Sequence, residues 1–260
     1  MSWWGKIVGG TFGFMMGGPL GAVMGAALGN YFDGGLEAIA FDDSLGVGAT
    51  ERVQSAFFTT TFAVMGYIAK SDGKVTREEI ELAEQVMQRM HLTSEQRTLA
   101  INLFNEGKKE GFPLDDVLAQ FKREAFRRRN LVQMFLEILI STALADGSLH
   151  SHEERTLQHI AARLNWRSEE FVHLLRMVSG QAQFGDIQAE SKKLDAAYDL
   201  LGVQKSVTDQ ELKKSYRRLM NQHHPDKLVA KGLPEEMIDI ATQKTQDIKA
   251  AYELIKKHRS

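Results

Sequence analysis

The chain has 260 residues, no cysteine, and 32 basic against 34 acidic side chains. Disulfides, thiolate metal sites and zinc-finger modules are thereby excluded, and the near balance of charge argues against binding nucleic acid through bulk charge. Only four prolines, long stretches rich in Ala, Leu, Glu, Lys and Gln, and no sustained strand-like alternation predict an all-α chain, long enough for two small domains and a tail.

Residues 1–6 form a short N-terminal tail, and residues 7–32 carry no charged side chain, the length a helix needs to cross a bilayer. Glycine recurs at every fourth position, at Gly5, Gly9, Gly13, Gly17, Gly21, Gly25 and Gly29. In water each would cost a helix about 1 kcal/mol relative to alanine. In lipid the backbone must satisfy its own hydrogen bonds, so the helix forms regardless. The ridge of Gly9, Gly13, Gly17, Gly21 and Gly25 then lets a second helix approach closely, which predicts a homodimer through the transmembrane helix. Trp3, Trp4, Tyr31 and Phe32 stand where interfacial aromatics anchor a span, and Pro19 is placed to kink it. A cleaved signal peptide ending near Ala38, Ile39 and Ala40 competes, but the apolar stretch is longer than a signal core. Lys6 before the span, and Asp33, Glu37, Asp42, Asp43 and Glu51 after it, weakly favour a cytoplasmic N-terminus.

Residues 33–51, rich in glycine and acid, read as a juxtamembrane linker. Two stretches then match at an offset of 74 residues. The first runs through Phe57, Phe58, Phe62, Met65, Ala69, Asp72, Gly73, Val75 and Glu79. The second runs through Leu131, Val132, Leu136, Leu139, Ala143, Asp146, Gly147, Leu149 and Glu153. Each predicts an apolar helix, an Asp-Gly turn and a second helix, giving two hairpins on one core. Thr76 with Glu79, and Ser151 with Glu154, fit capping boxes.

On these repeated turns, residues 52–180 resemble the TerB-like helical domain. That resemblance raises metal binding through Asp72, Glu79, Asp146 and Glu153. Neither turn has the alternating carboxylates of a calcium loop, and helix termination explains the same residues, so no metal site and no cofactor are expected. His150, His152 and His159 read as a solvated helix face, because the spacing lacks a His-Glu-x-x-His arrangement. The basic run Lys122, Arg123, Arg127, Arg128 and Arg129, interleaved with Phe121 and Phe126, has two readings. It contacts anionic headgroups, or it is an ordinary polar face whose phenylalanines are core; the second is simpler.

After a linker at 181–193, residues 194–260 form a third unit. Tyr198 to Val203 read as a short helix ending at Gly202. Thr208 caps a helix over 209–223, with Leu212, Tyr216, Leu219 and Met220 as its apolar stripe and Lys213, Lys214, Arg217 and Arg218 outside. His224, Pro225 and Asp226 follow, the proline forcing the chain out of the helix. A last helix from about Glu235 to Lys257 turns Ala241, Ile248, Tyr252 and Ile255 inward.

This unit resembles the J-domain of the DnaJ family. The likeness rests on the Tyr-x-x-Leu-Gly-Val opening, the basic second helix, the His-Pro-Asp tripeptide and the run Ala250, Ala251, Tyr252, Glu253, Leu254. With the glycine-rich span and the TerB-like centre, the whole chain resembles the membrane-anchored DnaJ-like co-chaperones of bacteria. The resemblance implies that His224, Pro225 and Asp226 contact a DnaK-type chaperone, that Lys213, Lys214, Arg217 and Arg218 dock on an acidic surface of it, and that ATP hydrolysis by that partner is stimulated. DnaK and ATP are cytosolic, so the J-domain must be cytoplasmic and the short N-terminus periplasmic at the inner membrane, against the weak charge bias. There is no Gly/Phe-rich segment and no cysteine zinc module, which leaves the TerB-like domain to meet clients. An alternative is a metal-responsive membrane stress protein centred on that domain. No catalytic constellation of an enzyme is visible.

Overall fold

The computed structural model describes residues 18–29, 49–70, 92–144, 149–186 and 190–259, together with Glu84, Met87, Gln88 and Met90. Among the described residues all regular structure is helical. The elements in chain order are α1 (Gly18–Gly29), α2 (Ala49–Ala69), α3 (Ser94–Gly107), α4 (Leu114–Glu124), α5 (Arg129–Ala143), α6 (Ser151–Arg163), α7 (Ser168–Asp186), α8 (Glu190–Leu200), α9 (Asp209–His223), α10 (Pro225–Val229), a 3-10 turn (Glu235–Met237) and α11 (Ile238–Arg259).

The two apolar helices of the repeat, α2 and α5, are buried on all sides over residues 53–66 and 131–140. A helix with no polar face has to be wrapped by others, and α1, α3, α4, α6 and α7 surround this pair. Phe57 joins them at the centre, its ring 6.1 Å from Phe121 and 6.2 Å from Phe135, in edge-on geometry that adds to burial. The helix α3 approaches α2 so closely that a Cβ on Gly66 would collide with the Phe104 carbonyl, and one on Gly107 with the Ala63 carbonyl. Local signals set the ends. A capping box of Thr93 with Gln96 opens α3, while α4 has Asp115 and Asp116 in its first turn and Lys122 and Arg123 in its last, each matched to the helix dipole. The box opening α6 lies one residue earlier than Ser151 with Glu154: Glu153 accepts the His150 backbone N–H at 3.0 Å. The aligned position of the repeat is therefore the one used. Thr76 and Glu79 lie outside the described residues.

Three expectations need correction. Among the described residues Pro19 does not stand mid-helix. The helix α1 starts at Gly18, in the left-handed region at φ +61°, so Pro19 falls in the first turn, where its missing N–H has no helical partner to lose. The stretch 181–193, read as a linker, is largely helical, because α7 continues to Asp186 and α8 begins at Glu190. The last helix is preceded by a 3-10 turn and starts at Ile238.

The helix α1 buries Leu20, Val23, Met24 and Ala27 on the bundle. Gln120 accepts the Leu20 N–H at 2.8 Å and Asn102 donates to the Ala27 carbonyl at 2.9 Å, so both helix ends are satisfied by side-chain amides. Twelve residues reach about 18 Å, short of a hydrocarbon core of about 30 Å. No helix among the described residues is long and apolar enough to cross a membrane; positions 7–17 and 30–32 of the expected span lie outside them.

The C-terminal unit does not keep its core to itself. Met177 and Phe184 of α7 pack with Leu201, Leu212, Leu219, Ile248 and Ile255. Conversely Leu228, Leu233, Met237 and Ala241 join the core of the α2–α7 bundle. Ala241, expected inside the hairpin, therefore serves the neighbouring domain. Gly107→Ala should lower stability by about 1–3 kcal/mol, the range for overpacking a filled contact, seen as a lower denaturant midpoint. An unchanged midpoint would contradict the close α2–α3 approach.

Candidate functional site

The helix α9 is built by its own sequence. The Thr208 hydroxyl accepts the Glu211 N–H at 3.3 Å, and Glu211 accepts the Thr208 N–H at 3.1 Å, a reciprocal capping box. Leu212, Ser215, Leu219 and His223 form the buried stripe at spacings of three and four; Tyr216 and Met220 flank it half-buried, Tyr216 stacked on Tyr252 at 4.3 Å. Lys213, Lys214, Arg217 and Arg218 are exposed on the opposite side. Among the described residues none of the four is paired with a carboxylate, although Arg218 donates to the Ser215 hydroxyl at 3.2 Å. The result is an open cationic face with its charge unspent inside the protein.

The helix stops at His224, whose φ of −59° and ψ of 122° leave the helical region, as expected before proline. Pro225 then occupies the first position of α10. The His224 and Asp226 side chains are 48 % and 90 % exposed, 4.0 Å apart. Lys227 beside them bonds Asn221. The tripeptide stands at the end of the cationic helix, open to a partner.

Behind this open tip lies a buried polar cluster that sequence reasoning missed. His223 is buried, with Nε2 3.5 Å from Glu137 of α5. The other Glu137 oxygen lies 3.3 Å from Lys244 of α11. Gln133 donates to Glu137 at 2.8 Å, and Lys244 also bonds Gln181 of α7. Around the cluster, Asn130 donates to the Gln222 carbonyl at 3.3 Å and Gln54 to the Leu233 carbonyl at 3.4 Å. Gly232, at φ +96°, lies so close to Val53 that a Cβ would not fit. The available signal was Glu137 itself, one acid inside the apolar run of residues 131–140.

Burial pushes the Glu137 carboxyl up, but His223, Lys244 and the Gln133 hydrogen bond outweigh it and hold it below the usual carboxylate range. Burial pushes the His223 imidazole below its usual range, against the pull of Glu137. The cluster therefore favours an ionised Glu137 beside Lys244, while burial resists protonation of His223. Both groups bind fewer protons folded than unfolded, so each stabilises at neutral pH and loses that contribution as pH falls.

The other sequence-derived positions fall as follows. Gly21 is buried on α1 and Gly25 faces open space; Gly9, Gly13 and Gly17 lie outside the described residues, as do Asp72, Glu79 and Asp146. His150, His152 and His159 are exposed, and His159 meets Asp115 at 2.7 Å. His152 and His159 line an open groove with Tyr67, Phe112 and Arg155. Of the two phenylalanines in the basic run, Phe121 is core, but Phe126 is 67 % exposed, which corrects the reading that both are core.

Between pH 7.5 and 5.5 the Tm should fall, since the unfolded His223 titrates near pH 6.5 while the folded one resists protonation. His223→Gln should flatten that slope. An identical pH dependence in the variant would rule His223 out as its source.

Three family models match in chain order: Co-chaperone DjlA transmembrane domain over residues 1–39, Tellurite resistance protein TerB over 59–176, and DnaJ domain over 196–260. Among curated relatives, "Co-chaperone protein DjlA" of Photobacterium profundum is 43 % identical over 98 % of this chain and 99 % of its own. The proteins of the same name from Vibrio cholerae and Shewanella oneidensis are 43 % and 44 % identical over 100 % of this chain and 99 % of theirs. No solved structure matches.

Proposed function

The chain belongs to the DjlA family of membrane-anchored co-chaperones, and from that premise we propose that it stimulates ATP hydrolysis by a DnaK-type chaperone at the cytoplasmic face of the bacterial inner membrane. One observation carries the reading: the His224 and Asp226 side chains stand exposed on either side of a half-buried Pro225 at the end of a cationic helix face, while the adjacent His223 is locked in the core. Lys213, Lys214, Arg217 and Arg218 steer encounter with an acidic surface of the chaperone, at a salt-sensitive rate. The tripeptide then favours the hydrolysis-competent state. Stimulation requires that it bind this state better than the resting one. No residue of this chain needs to touch ATP.

Because ATP is cytosolic, the J-domain faces the cytoplasm and the N-terminus lies in the periplasm. Gly9, Gly13, Gly17 and Gly25 pair two anchors into a homodimer, which places two J-domains at one membrane site; Gly21, expected in the same ridge, is buried within this chain and takes no part in that contact.

Single-turnover ATP hydrolysis by DnaK, with the full chain in nanodiscs, tests this reading. The native chain should accelerate turnover and His224→Gln should lose at least about 90 % of the acceleration, the size of losing about 1.4 kcal/mol of differential binding. Reversing Lys213 and Arg217 to Glu should slow association and weaken its salt dependence. Equal stimulation by native chain and His224→Gln would refute the proposal.

A further inference from the structure

The corner between α4 and α5 combines three features that a simple connection does not need. Phe126 is 67 % exposed, more than any other large apolar side chain among the described residues. The next residue, Arg127, is held at φ +60°, a conformation uncommon for a side chain of its size. The turn is pinned there: Arg128 N–H bonds the Ala125 carbonyl at 2.9 Å, and its guanidinium bonds the Glu124 carbonyl at 2.9 Å. Backbone strain that holds an aromatic ring in water points to a function for the ring.

The ring sits in a cationic surround. Arg127 lies over it at 5.2 Å, and Phe126 lines a shallow hollow with Ala119, Lys122, Arg123 and Arg163. The neighbouring acids are engaged: Glu124 with Arg52, Glu170 with Arg129 and Arg167, and Asp115 with His159 and Arg163. Among the described residues Arg123 and Arg127 have no carboxylate partner.

We propose that this corner is a peripheral membrane contact, in which Phe126 enters the interface and Arg123 and Arg127 receive anionic lipid phosphates, while Lys122 and Arg163, held by Asn165 and Asp115, add to the positive surround. An exposed aromatic supplies apolar burial at headgroup depth, and cations gain from the negative surface only within a Debye length of it. The anchor of the family tethers this domain to a membrane, which brings the corner repeatedly to the surface; the inference rests on the anchor and not on the DnaK reading. The contact limits how the domain stands on the membrane and therefore where the J-domain points.

The chain has no native cysteine, so Phe126→Cys carries a single environment-sensitive fluorophore without background. Full-length protein is placed in nanodiscs of phosphatidylcholine alone, or of phosphatidylcholine with phosphatidylglycerol, with the same label at the exposed Val172 as a reference. The proposal predicts a blue shift at position 126 in anionic discs only, absent at 172 and lost when Arg123→Glu and Arg127→Glu are added. No shift in either lipid overturns it, as does an equal shift in both. A shift that instead appears in neutral discs on adding an acidic soluble protein would assign the corner to a protein partner and overturn it too. Because the lipid comparison uses one folded protein, it holds even if the charge-reversed variant is unstable.

Discussion

A carboxylate in the middle of an apolar helix has to find its counter-charge wherever the fold can supply one. Glu137 lies inside α5, which is buried on every side over residues 131–140. Leaving it ionised and alone would cost several kcal/mol. Its partners come from the other domain, Lys244 from α11 and His223 from the end of α9. That requirement fixes the J-domain against the TerB-like bundle in a single register. The apolar exchange follows the same seam: Leu228, Leu233 and Met237 sit in one core, Met177 and Phe184 in the other. Such a buried polar cluster adds little net stability over an apolar seam, but it penalises every docking that leaves a member unpaired.

The seam uses the residue next to the tripeptide. His223 faces inward and His224 outward, so the loop carrying the tripeptide is mounted on the bundle through its neighbour. A J-domain on a flexible tether would present that loop in every direction. Here its direction is set by the TerB-like domain, and hence by whatever orients that domain at the membrane. The open cationic face of α9 and the His224 and Asp226 side chains remain accessible in this docked arrangement, so the seam positions the loop without covering it.

Much of this was legible in the sequence. The cap at Thr208 and the proline at 225 define α9 to the residue, because these signals act locally. The 74-residue offset placed α2 and α5 correctly, since helices with apolar residues on every side must be central. What was not legible depends on contacts remote in sequence. Ala241 has the same inward register as Ile248, and nothing along α11 says that the two face different cores. Lys244, four residues before Ile248, reads as a polar position until Glu137 is seen 107 residues away. Gly180 and Gly202 read as ordinary helix and turn glycines. In the structure a Cβ at Gly180 would meet Asp199 and Leu200, and one at Gly202 would meet His173, so both allow α7 and the J-domain to close on each other. Phe126 misled because periodicity alone cannot tell a core ring from one exposed at a corner.

The claim that the two domains form one cooperative unit is tested most directly by native-state hydrogen exchange in increasing denaturant, compared between amides of α5 and of α9. A shared core predicts that both sets converge on the same opening free energy, because neither domain can unfold and leave Glu137 buried without its partners. If the amides of α9 instead opened at a much lower free energy while those of α5 stayed protected, the J-domain would be an independent module, and the account of a fixed loop would be wrong.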